Sequence, residues 1–474
     1  MSCRIVSRRV PVRSGRWRYH TTLAPRTDAA MTSSHTPVPR CQWFSTLAKA
    51  LDPRSGRRLA VLFLGLILAR GRRTVSSWVR AAGLSNPYRR CYAAAAAVGC
   101  RTEHVAMRLL LELLKPLVAD ASRLVLALDD TPTERYGPKV QGAGVHHNPT
   151  PGPAGSPFVY GHVWVVLGLR VAHPLGGIVA LPLLARLYIR QKHLGAIAAK
   201  HRPAFVTQLV MAVELVRWAH GWLKLWGKAV WVVADGAYAK APVLKPLLAL
   251  GVTVVSRLRK DAALCSVPPA RDPNRRGRPP VYGKQRVSLA KRAGHKGAWV
   301  TDTFTVYGKA VPKTYKTFVA TWRPAGGAIR VVLVDEPNGW VAFFCTDTEA
   351  TVADILGLVA DRFRLETCFR DLKQIVGAGQ QQVRGVASNV GCFHLCAWAF
   401  TMTEVWAWNP KAEDLVAHRS ASPWDDPKRR PSHADKRRAW QRELLAEEIQ
   451  AVVGQHDDLA KIQALAQRCL DLAA

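Results

Sequence analysis

Two stretches of the chain combine a short apolar run with a carboxylate at its end. Residues 124–128 are apolar and lead into Asp129 and Asp130, and residues 230–234 lead into Asp235. A short apolar run bounded by polar residues is typical of a buried strand. A carboxylate at the tip of such a strand is held beside the core, where it can serve as a metal ligand or an acid–base group. The alternative for the first pair is a solvated turn, because Asp-Thr-Pro is common in turns.

Apolar residues at helical spacing dominate residues 41–120. Thr74 or Ser76 is a candidate N-cap for one helix, and Gly83 begins a turn that precedes a second, basic helix. Two helices joined by a glycine-containing turn predict either a DNA-binding helix-turn-helix or an ordinary helical hairpin. On the pattern alone both interpretations stay open.

Beyond residue 123 the pattern alternates between strands and helices. The first strand is followed by a Gly/Pro-rich loop, two long apolar runs and a helix, and the strand that ends in Asp235 opens a βαβ unit. Short alternating runs across residues 261–345 indicate a β-rich insertion, and a long helix begins near Thr348. This order predicts an α/β fold of the ribonuclease-H-like type, a mixed sheet flanked by helices. In that layout the two acid-bearing strands are neighbours, and the last helix packs beside them.

The last of these helices carries a polar stripe. Arg362, Glu366, Phe369 and Lys373 recur at helical spacing and therefore lie on one face. A face meant only for the core would not carry three charges, so Glu366 is a candidate third carboxylate. The alternative for Glu366 is a salt bridge to Arg362 or Arg370, worth roughly 0.2–0.5 kcal/mol.

The charge of the chain favours nucleic acid as its partner. Its 474 residues include 68 Lys and Arg against 33 Asp and Glu, a formal net charge of +35. An excess spread over the whole length predicts a polyanionic partner rather than a membrane surface. The apolar runs are shorter than the ~20 residues of a membrane-spanning helix. The ten cysteines form no Cys-x-x-Cys pair, which favours a reducing, cytoplasmic location.

Taken in order, these motifs resemble those of the DDE transposases of bacterial insertion sequences, in the branch with a Y-x2-R-x3-E-x6-K signature. The stretch "RFRLETCFRDLK" supplies Arg362, Glu366 and Lys373 at that spacing, whereas Val359 stands at the tyrosine position. "LDDT" resembles the first-Asp motif D-x-[ST], which favours Asp129 over Asp130, and "VVADGAYAK" resembles the second-Asp motif. The resemblance covers about residues 123–405.

The resemblance implies a metal-dependent DNA transposase. Asp129, Asp235 and Glu366 would be the catalytic residues and would bind Mg²⁺, with Mn²⁺ as a substitute, as two ions that hold the attacking and leaving oxygens of a phosphodiester. The implied partners are double-stranded DNA, as the terminal inverted repeats and the target, and a second copy of the chain in a homodimer on DNA. The implied reaction is hydrolysis and strand transfer in cut-and-paste transposition.

The same resemblance implies DNA contacts outside the metal site. Arg362 and Lys373 would bind phosphates near the cut, and Val359 puts a tyrosine–phosphate contact in doubt. Trp299 or Trp322 in the β insertion is a candidate for stacking on a flipped base. The alternative for either tryptophan is packing in the core.

The patterns divide the chain into four parts. Residues 1–40 form a basic, disordered tail, residues 41–122 a helical DNA-binding region, and residues 123–408 the ribonuclease-H-like domain with its insertion at about 261–345. Residues 409–474 form a basic linker and a C-terminal helix.

Two rival interpretations accompany the transposase. One is a structure-selective nuclease or resolvase on the same fold, which would lack strand transfer to a target. The other is a decayed element protein that binds DNA without catalysis. All three acids are present, which argues against decay.

Overall fold

The computed structural model describes residues 42–84, 88–148, 155–175, 177–270, 277–306, 308–417, 419, 426, 429–453, 462 and 466. These residues belong to one compact unit, Pro37–Ala474. The predicted basic tail, residues 1–40, lies outside the described residues, and so do parts of the predicted linker.

Thirteen α-helices are present in the described part of the chain. They are α1 (Gln42–Ala48), α2 (Pro53–Leu68), α3 (Val75–Ala81), α4 (Tyr88–Cys100), α5 (Thr102–Arg108), α6 (Gln191–Leu194), α7 (Gln208–Leu223), α8 (Ala241–Ala249), α9 (Leu289–Gly294), α10 (Val352–Asp371), α11 (Val386–Trp406), α12 (Ala412–Val416) and α13 (His433–Val453). A wider π-helical turn, Leu372–Val376, continues α10.

Twelve strands of the described residues form a single mixed sheet. They are β1 (Arg123–Glu134), β2 (Gly144–His147), β3 (Phe158–Ala172), β4 (Ile178–Tyr188), β5 (Ala229–Ala234), β6 (Thr253–Leu258), β7 (Leu264–Cys265), β8 (Arg286–Val287), β9 (Val300–Val306), β10 (Lys309–Trp322), β11 (Gly327–Val334) and β12 (Val341–Cys345).

The centre of the sheet has the ribonuclease-H-like order β4-β3-β1-β5-β6. Strands β4, β3 and β1 pair antiparallel, and β1, β5 and β6 pair parallel. Because parallel strands need a crossover connection, α7 lies between β4 and β5 in the chain, and α8 between β5 and β6. The α/β fold predicted from the order of elements is therefore confirmed.

The strands predicted as a β-rich insertion extend this same sheet. Strand β12 pairs antiparallel with β6, and β11 and β10 follow outward in turn. Strands β7 and β9 both pair with β10. The chain thus returns through β12 to the sheet directly before α10, which brings α10 back to the central strands.

The helices before β1 pack on one side of the core around α2. Helix α2 begins with the N-cap Asp52, whose side chain accepts from the backbone N–H groups of Arg54 and Ser55. All of its residues from Leu59 to Leu68 are buried. A helix that is apolar on every side must be enclosed by other elements, and α1, α3, α4, α11 and α13 contact it. No helix in the described part of the chain is long and apolar enough to span a membrane.

Candidate active site

The first two acids lie side by side because their strands are parallel neighbours. Leu128 of β1 is paired with Ala234 of β5, so Asp129 and Asp235 follow at adjacent carboxyl ends. Asp129 is buried, at 9% exposure, and Asp235 is half-buried. The side chain of Asp235 accepts a hydrogen bond from the backbone N–H of Ala237 (2.9 Å), which fixes its direction at the start of a short 3₁₀ turn.

Helix α10 carries the third acid, and ion pairs with the sheet hold it in place. Its N-cap Thr351 forms a capping box with Asp354, and Asp354 also pairs with Arg123 at the start of β1. Midway along the helix Asp361 pairs with Arg170 of β3 (2.6 Å). These contacts attach α10 to β1 and β3, two adjacent central strands. The next turn of α10 carries Arg362, which reaches Asp129 on β1.

The guanidinium of Arg362 lies among the three candidate acids. Its Nη1 is 2.5 Å from Asp129 Oδ2, and its Nη2 is 2.9 Å from Glu366 Oε1 and 3.9 Å from Asp235 Oδ1. Carboxylates from β1, from the end of β5 and from α10 therefore meet around one cationic group. Their separation in sequence is large, so this meeting is a property of the fold.

Burial and charge shift the ionisation of this cluster. Burial raises the pKa of Asp129 to about 7, although Arg362 opposes the rise. Burial works against the charge of Arg362, but the carboxylates of Asp129, Glu366 and Asp235 outweigh it and raise the pKa of the guanidinium. One cation thus faces three acids. When all three acids are ionised, the cluster carries more negative than positive charge.

The donor set suits a hard divalent cation, but Arg362 lies where the donors converge. Carboxylate oxygens are the ligands that Mg²⁺ prefers, and Asp129, Asp235 and Glu366 already surround a positive group. Within the described residues, however, no three Asp, Glu, His or Cys side chains lie close enough together to hold a metal ion. The residues therefore fit a metal site chemically, provided that the guanidinium withdraws.

The acids open into a cleft of about 1300 Å³ at the carboxyl edge of the sheet. Its cationic lining residues are Arg72, Arg362, Arg370 and Lys373, and its acidic ones are Asp129, Asp130, Glu134, Asp235 and Glu366. Ala378, Gly379 and Gln380 also line it. A cleft lined by both acids and cations can accommodate a phosphodiester together with cations.

Asp130 lines the cleft together with Asp129. Alternation along a strand predicts that Asp130 points away from the face of Asp129, yet both residues line the cleft. The pairing with β5 ends at Leu128, so beyond it β1 has an open edge. Burial and the charge of Asp235 raise the pKa of the Asp130 carboxyl, while a hydrogen bond from Tyr238 (3.4 Å) opposes the rise.

Phe369 and Lys373 line the cleft beyond Glu366, so the four residues of the predicted stripe share one face. Lys373 is half-buried at the start of the π-helical turn. Burial lowers the pKa of Lys373, and the nearby Glu134 opposes the change. Glu134 and Tyr136 also line the cleft, which the sequence did not predict. The hydroxyl of Tyr136 donates to Glu134 (2.9 Å). Glu134 lies on the same strand as Asp129, which is the signal that could have pointed to it.

The two candidate tryptophans lie away from the cleft. Trp322 is 7% exposed and packs edge-on against Phe344 at 5.1 Å between ring centroids, which is core packing. Trp299 is half-buried before β9, with Lys316 Nζ 4.6 Å from its ring centre. Neither residue is among those that line the cleft.

The second helix of the predicted helix-turn-helix is docked against the domain that follows it. Helix α4 packs on α11 so closely that a Cβ at Gly99 would lie 1.8 Å from the carbonyl oxygen of Ala387. The first turn of α4 presents Arg89 and Arg90 to solvent. The exposed basic residues of α4 are therefore those of its first turn.

A comparison with known protein families identifies the family of the chain. Residues 46–316, more than half of the chain, match the model of the DDE superfamily endonuclease family. The chain therefore belongs to this family, whose members act on DNA and generally use divalent metal ions. The match contains Asp129 and Asp235 and ends before Glu366. No curated protein was found to match the chain.

Proposed function

We propose that the protein is a DNA transposase that binds the ends of an insertion sequence, cuts them and joins them to target DNA. The observation that supports this most strongly is the meeting of Asp129, Asp235 and Glu366 around one cation at the carboxyl edge of a ribonuclease-H-like sheet. The formal charge of +35 supplies the attraction to DNA that such a reaction requires.

In this proposal Asp129, Asp235 and Glu366 hold Mg²⁺ once Arg362 has moved aside. Bound Mg²⁺ would stabilise the charge on the attacking and leaving oxygens of the phosphodiester. Arg362 would then be available to a phosphate of the cut strand, and Lys373 would contact a phosphate further along the cleft. The surplus of acid around Arg362 supports this exchange, because a divalent cation neutralises it more completely than one guanidinium does.

The test is a cleavage and joining assay. Purified protein is incubated with Mg²⁺, a duplex that carries the DNA flanking its own gene, and a supercoiled target plasmid; nicks and joined products are mapped on sequencing gels. We expect nicks at fixed positions followed by joining to the plasmid. Fixed nicks without joined product would favour the structure-selective nuclease, and binding without nicks would favour the decayed element protein.

Metal binding is tested separately from catalysis. Mn²⁺ replaces Mg²⁺ at many oxygen-ligand sites, and the loss of its free electron paramagnetic resonance signal measures binding directly. We expect wild-type protein to bind Mn²⁺ and the Asp235→Asn variant to bind it more weakly. Equal binding by both proteins would remove Asp235 from the metal site.

A further inference from the structure

A second pocket, distinct from the acidic cluster, is lined by cations alone among its charged residues. Its lining comprises four arginines, two glutamines and two apolar side chains: Arg70, Arg73, Gln374, Ile375, Ala434, Arg437, Arg438 and Gln441. We call it the four-arginine pocket; its volume is about 480 Å³. It lies between the loop after α2, the π-helical turn Leu372–Val376 and the first turns of α13.

Hydrogen bonds to other elements hold two side chains of the pocket, Arg437 and Gln441, in place. Arg437 is 6% exposed and donates hydrogen bonds to the carbonyl oxygens of Leu66 (3.0 Å), Ala69 (2.6 Å) and Ile375 (3.3 Å). Gln441 donates to the carbonyl oxygen of Ile67 (2.5 Å). These bonds satisfy the free carbonyls at the end of α2 and attach α13 to it, so the fold holds Arg437 beside the loop that carries Arg70 and Arg73.

The arginines of the pocket lack carboxylate partners in the part of the chain that the structure describes. Within the described residues none of Arg70, Arg73, Arg437 and Arg438 forms an ion pair with a carboxylate, and the buried Nε atoms of Arg73 and Arg437 have no hydrogen-bond partner. Burial, together with the charge of Arg73, lowers the pKa of Arg437 to about 9. Clustered, partly buried guanidinium groups repel one another, and a bound anion would relieve that repulsion.

The four-arginine pocket adjoins the candidate active site. Gln374 lines both, and Gly71 and Arg72, which follow Arg70 in the same loop, line the cleft. The backbone N–H of Arg73 donates to Gln380 Oε1 (2.8 Å), and Gln380 also lines the cleft. A nucleic-acid strand in the cleft that continues past Gln374 therefore reaches the arginines.

We propose that the four-arginine pocket binds a backbone phosphate of the DNA that occupies the cleft. Guanidinium groups recognise phosphate by paired N–H···O bonds, and a row of phosphates is the anion that the neighbouring cleft would present. The proposal rests on the proposed function, and it adds that α13, far from the acids in sequence, shares in positioning the substrate.

The test compares two matched double variants in DNA binding. Arg70→Ala/Arg438→Ala removes two exposed charges from the pocket, and Arg278→Ala/Arg286→Ala removes two exposed charges from the β-rich extension of the sheet. The probe is a 30-base-pair duplex in metal-free buffer, titrated at several KCl concentrations. We expect the pocket variant to bind roughly tenfold more weakly and to show a salt-dependence slope smaller by about 1, the change for one lost phosphate contact. Equal losses in both double variants would overturn the proposal.

A second arm identifies the ligand. Single neutral methylphosphonate linkages are placed along each strand in turn. Wild-type protein should bind more weakly when the neutral linkage replaces the phosphate that the pocket contacts. The pocket variant should bind this duplex and the unmodified duplex equally. If no position shows this difference, or if inorganic phosphate protects the pocket from arginine-modifying reagent as well as the duplex does, the pocket is not a DNA site.

Failure here is separable from failure of the proposed function. Binding is measured without metal, so it does not depend on cleavage. Normal cleavage with unchanged binding by the pocket variant would reject this inference alone, whereas selective loss of binding without any cleavage by wild type would reject the transposase alone. Equal urea midpoints of the two double variants exclude a folding defect.

Discussion

Two carboxylate clusters in this protein differ in their balance of charge. At the cleft, three acids share the single guanidinium of Arg362, and burial raises the pKa of Asp129 to about 7. Between α11 and α13, Glu404 receives a hydrogen bond from His433 (2.7 Å) and pairs with Lys436 (2.5 Å). Although burial opposes it, these partners lower the pKa of Glu404 to about 2.

The difference separates a cluster whose charges are paired inside the protein from one that, in the proposed function, holds a metal ion. Glu404 is 2% exposed and its hydrogen-bonding needs are met inside the protein. The cleft acids are short of positive charge, and two of them, Asp235 and Glu366, are partly exposed to solvent. The four-arginine pocket has the opposite imbalance. Unbalanced charge that the fold itself maintains is what a bound ion or phosphate would neutralise.

The largest expected effect is on catalysis by the cleft acids Asp129, Asp235 and Glu366, which we call the unbalanced cluster; Glu404 with His433 and Lys436 is the balanced cluster. Asp235→Asn and Glu366→Gln each remove a charge that the proposed metal site needs, and a metal ion contributes several kcal/mol to stabilising the transition state. At about 1.4 kcal/mol per tenfold change, cleavage should fall by roughly a thousandfold or more. DNA binding should stay within about twofold, because the phosphate contacts remain. The measurement is the single-turnover nicking rate.

The control for these variants is Asp120→Asn, an exposed acid outside the cleft. It should nick at the wild-type rate. Nicking by Asp235→Asn at more than a tenth of that rate would mean that the unbalanced cluster is not the catalytic centre.

The balanced cluster should respond in stability rather than in catalysis. Glu404→Gln leaves Lys436 buried, at 6% exposure, without its counter-charge. Removing one partner of a buried ion pair costs about 3–5 kcal/mol. Urea unfolding should show this loss. Asp235→Asn keeps an oxygen that can accept from Ala237 and loses only a long ion pair with Arg362, so it should cost about 1 kcal/mol or less. Similar losses for both variants would remove the contrast between the clusters.

Lowering the pH should remove the stabilisation that the balanced cluster gives to the fold, over a defined pH range. The folded-state pKa of Glu404, about 2, is below the value of 4.5 for a free glutamate. Glu404 therefore stabilises the fold above pH 4.5, and the contribution is lost as the pH falls from 4.5 towards 2. The shift corresponds to about 3 kcal/mol. The difference in unfolding free energy between wild type and Glu404→Gln should narrow across this range and be constant between pH 5.5 and 7.

Much of the fold followed from local patterns, and its limits have physical causes. The apolar runs before Asp129 and Asp235 located two neighbouring strands. A buried strand shows in the sequence as consecutive apolar residues, so a local pattern suffices to find it. The pairing of β12 with β6, which turns the predicted insertion into an extension of the sheet, depends on contacts between distant residues. No local pattern encodes that pairing.

The candidate site shows the same division. Helical spacing placed Arg362, Glu366 and Lys373 on one face, but spacing says nothing of what the face meets, and Arg362 meets the acids. Alternation did not reveal that Asp130 also lines the cleft, which depends on where the pairing with β5 ends. The roles of Arg362, Lys373 and Trp299 toward DNA stay predictions. The four-arginine pocket joins residues more than 300 positions apart, such as Arg73 and Arg437, and escaped notice in the sequence.

The smallest expected effect is that of Lys373→Ala, which tests whether Lys373 acts on the metal site or on the phosphates of the substrate. Lys373 lies seven residues beyond Glu366, about 10 Å along the helix at ~1.5 Å per residue, and therefore too far to affect metal ligands directly. Its ammonium acts as a point charge on phosphate. Lys373→Ala should slow nicking and joining about tenfold, or about 1.4 kcal/mol, with the Mg²⁺ midpoint unchanged. Lys139→Ala, an exposed lysine outside the cleft lining, is the control and should behave as wild type. A titration of rate against Mg²⁺ decides: a shifted midpoint with an unchanged maximal rate would place Lys373 with the unbalanced acids, as part of their charge balance, rather than with the phosphates of the substrate.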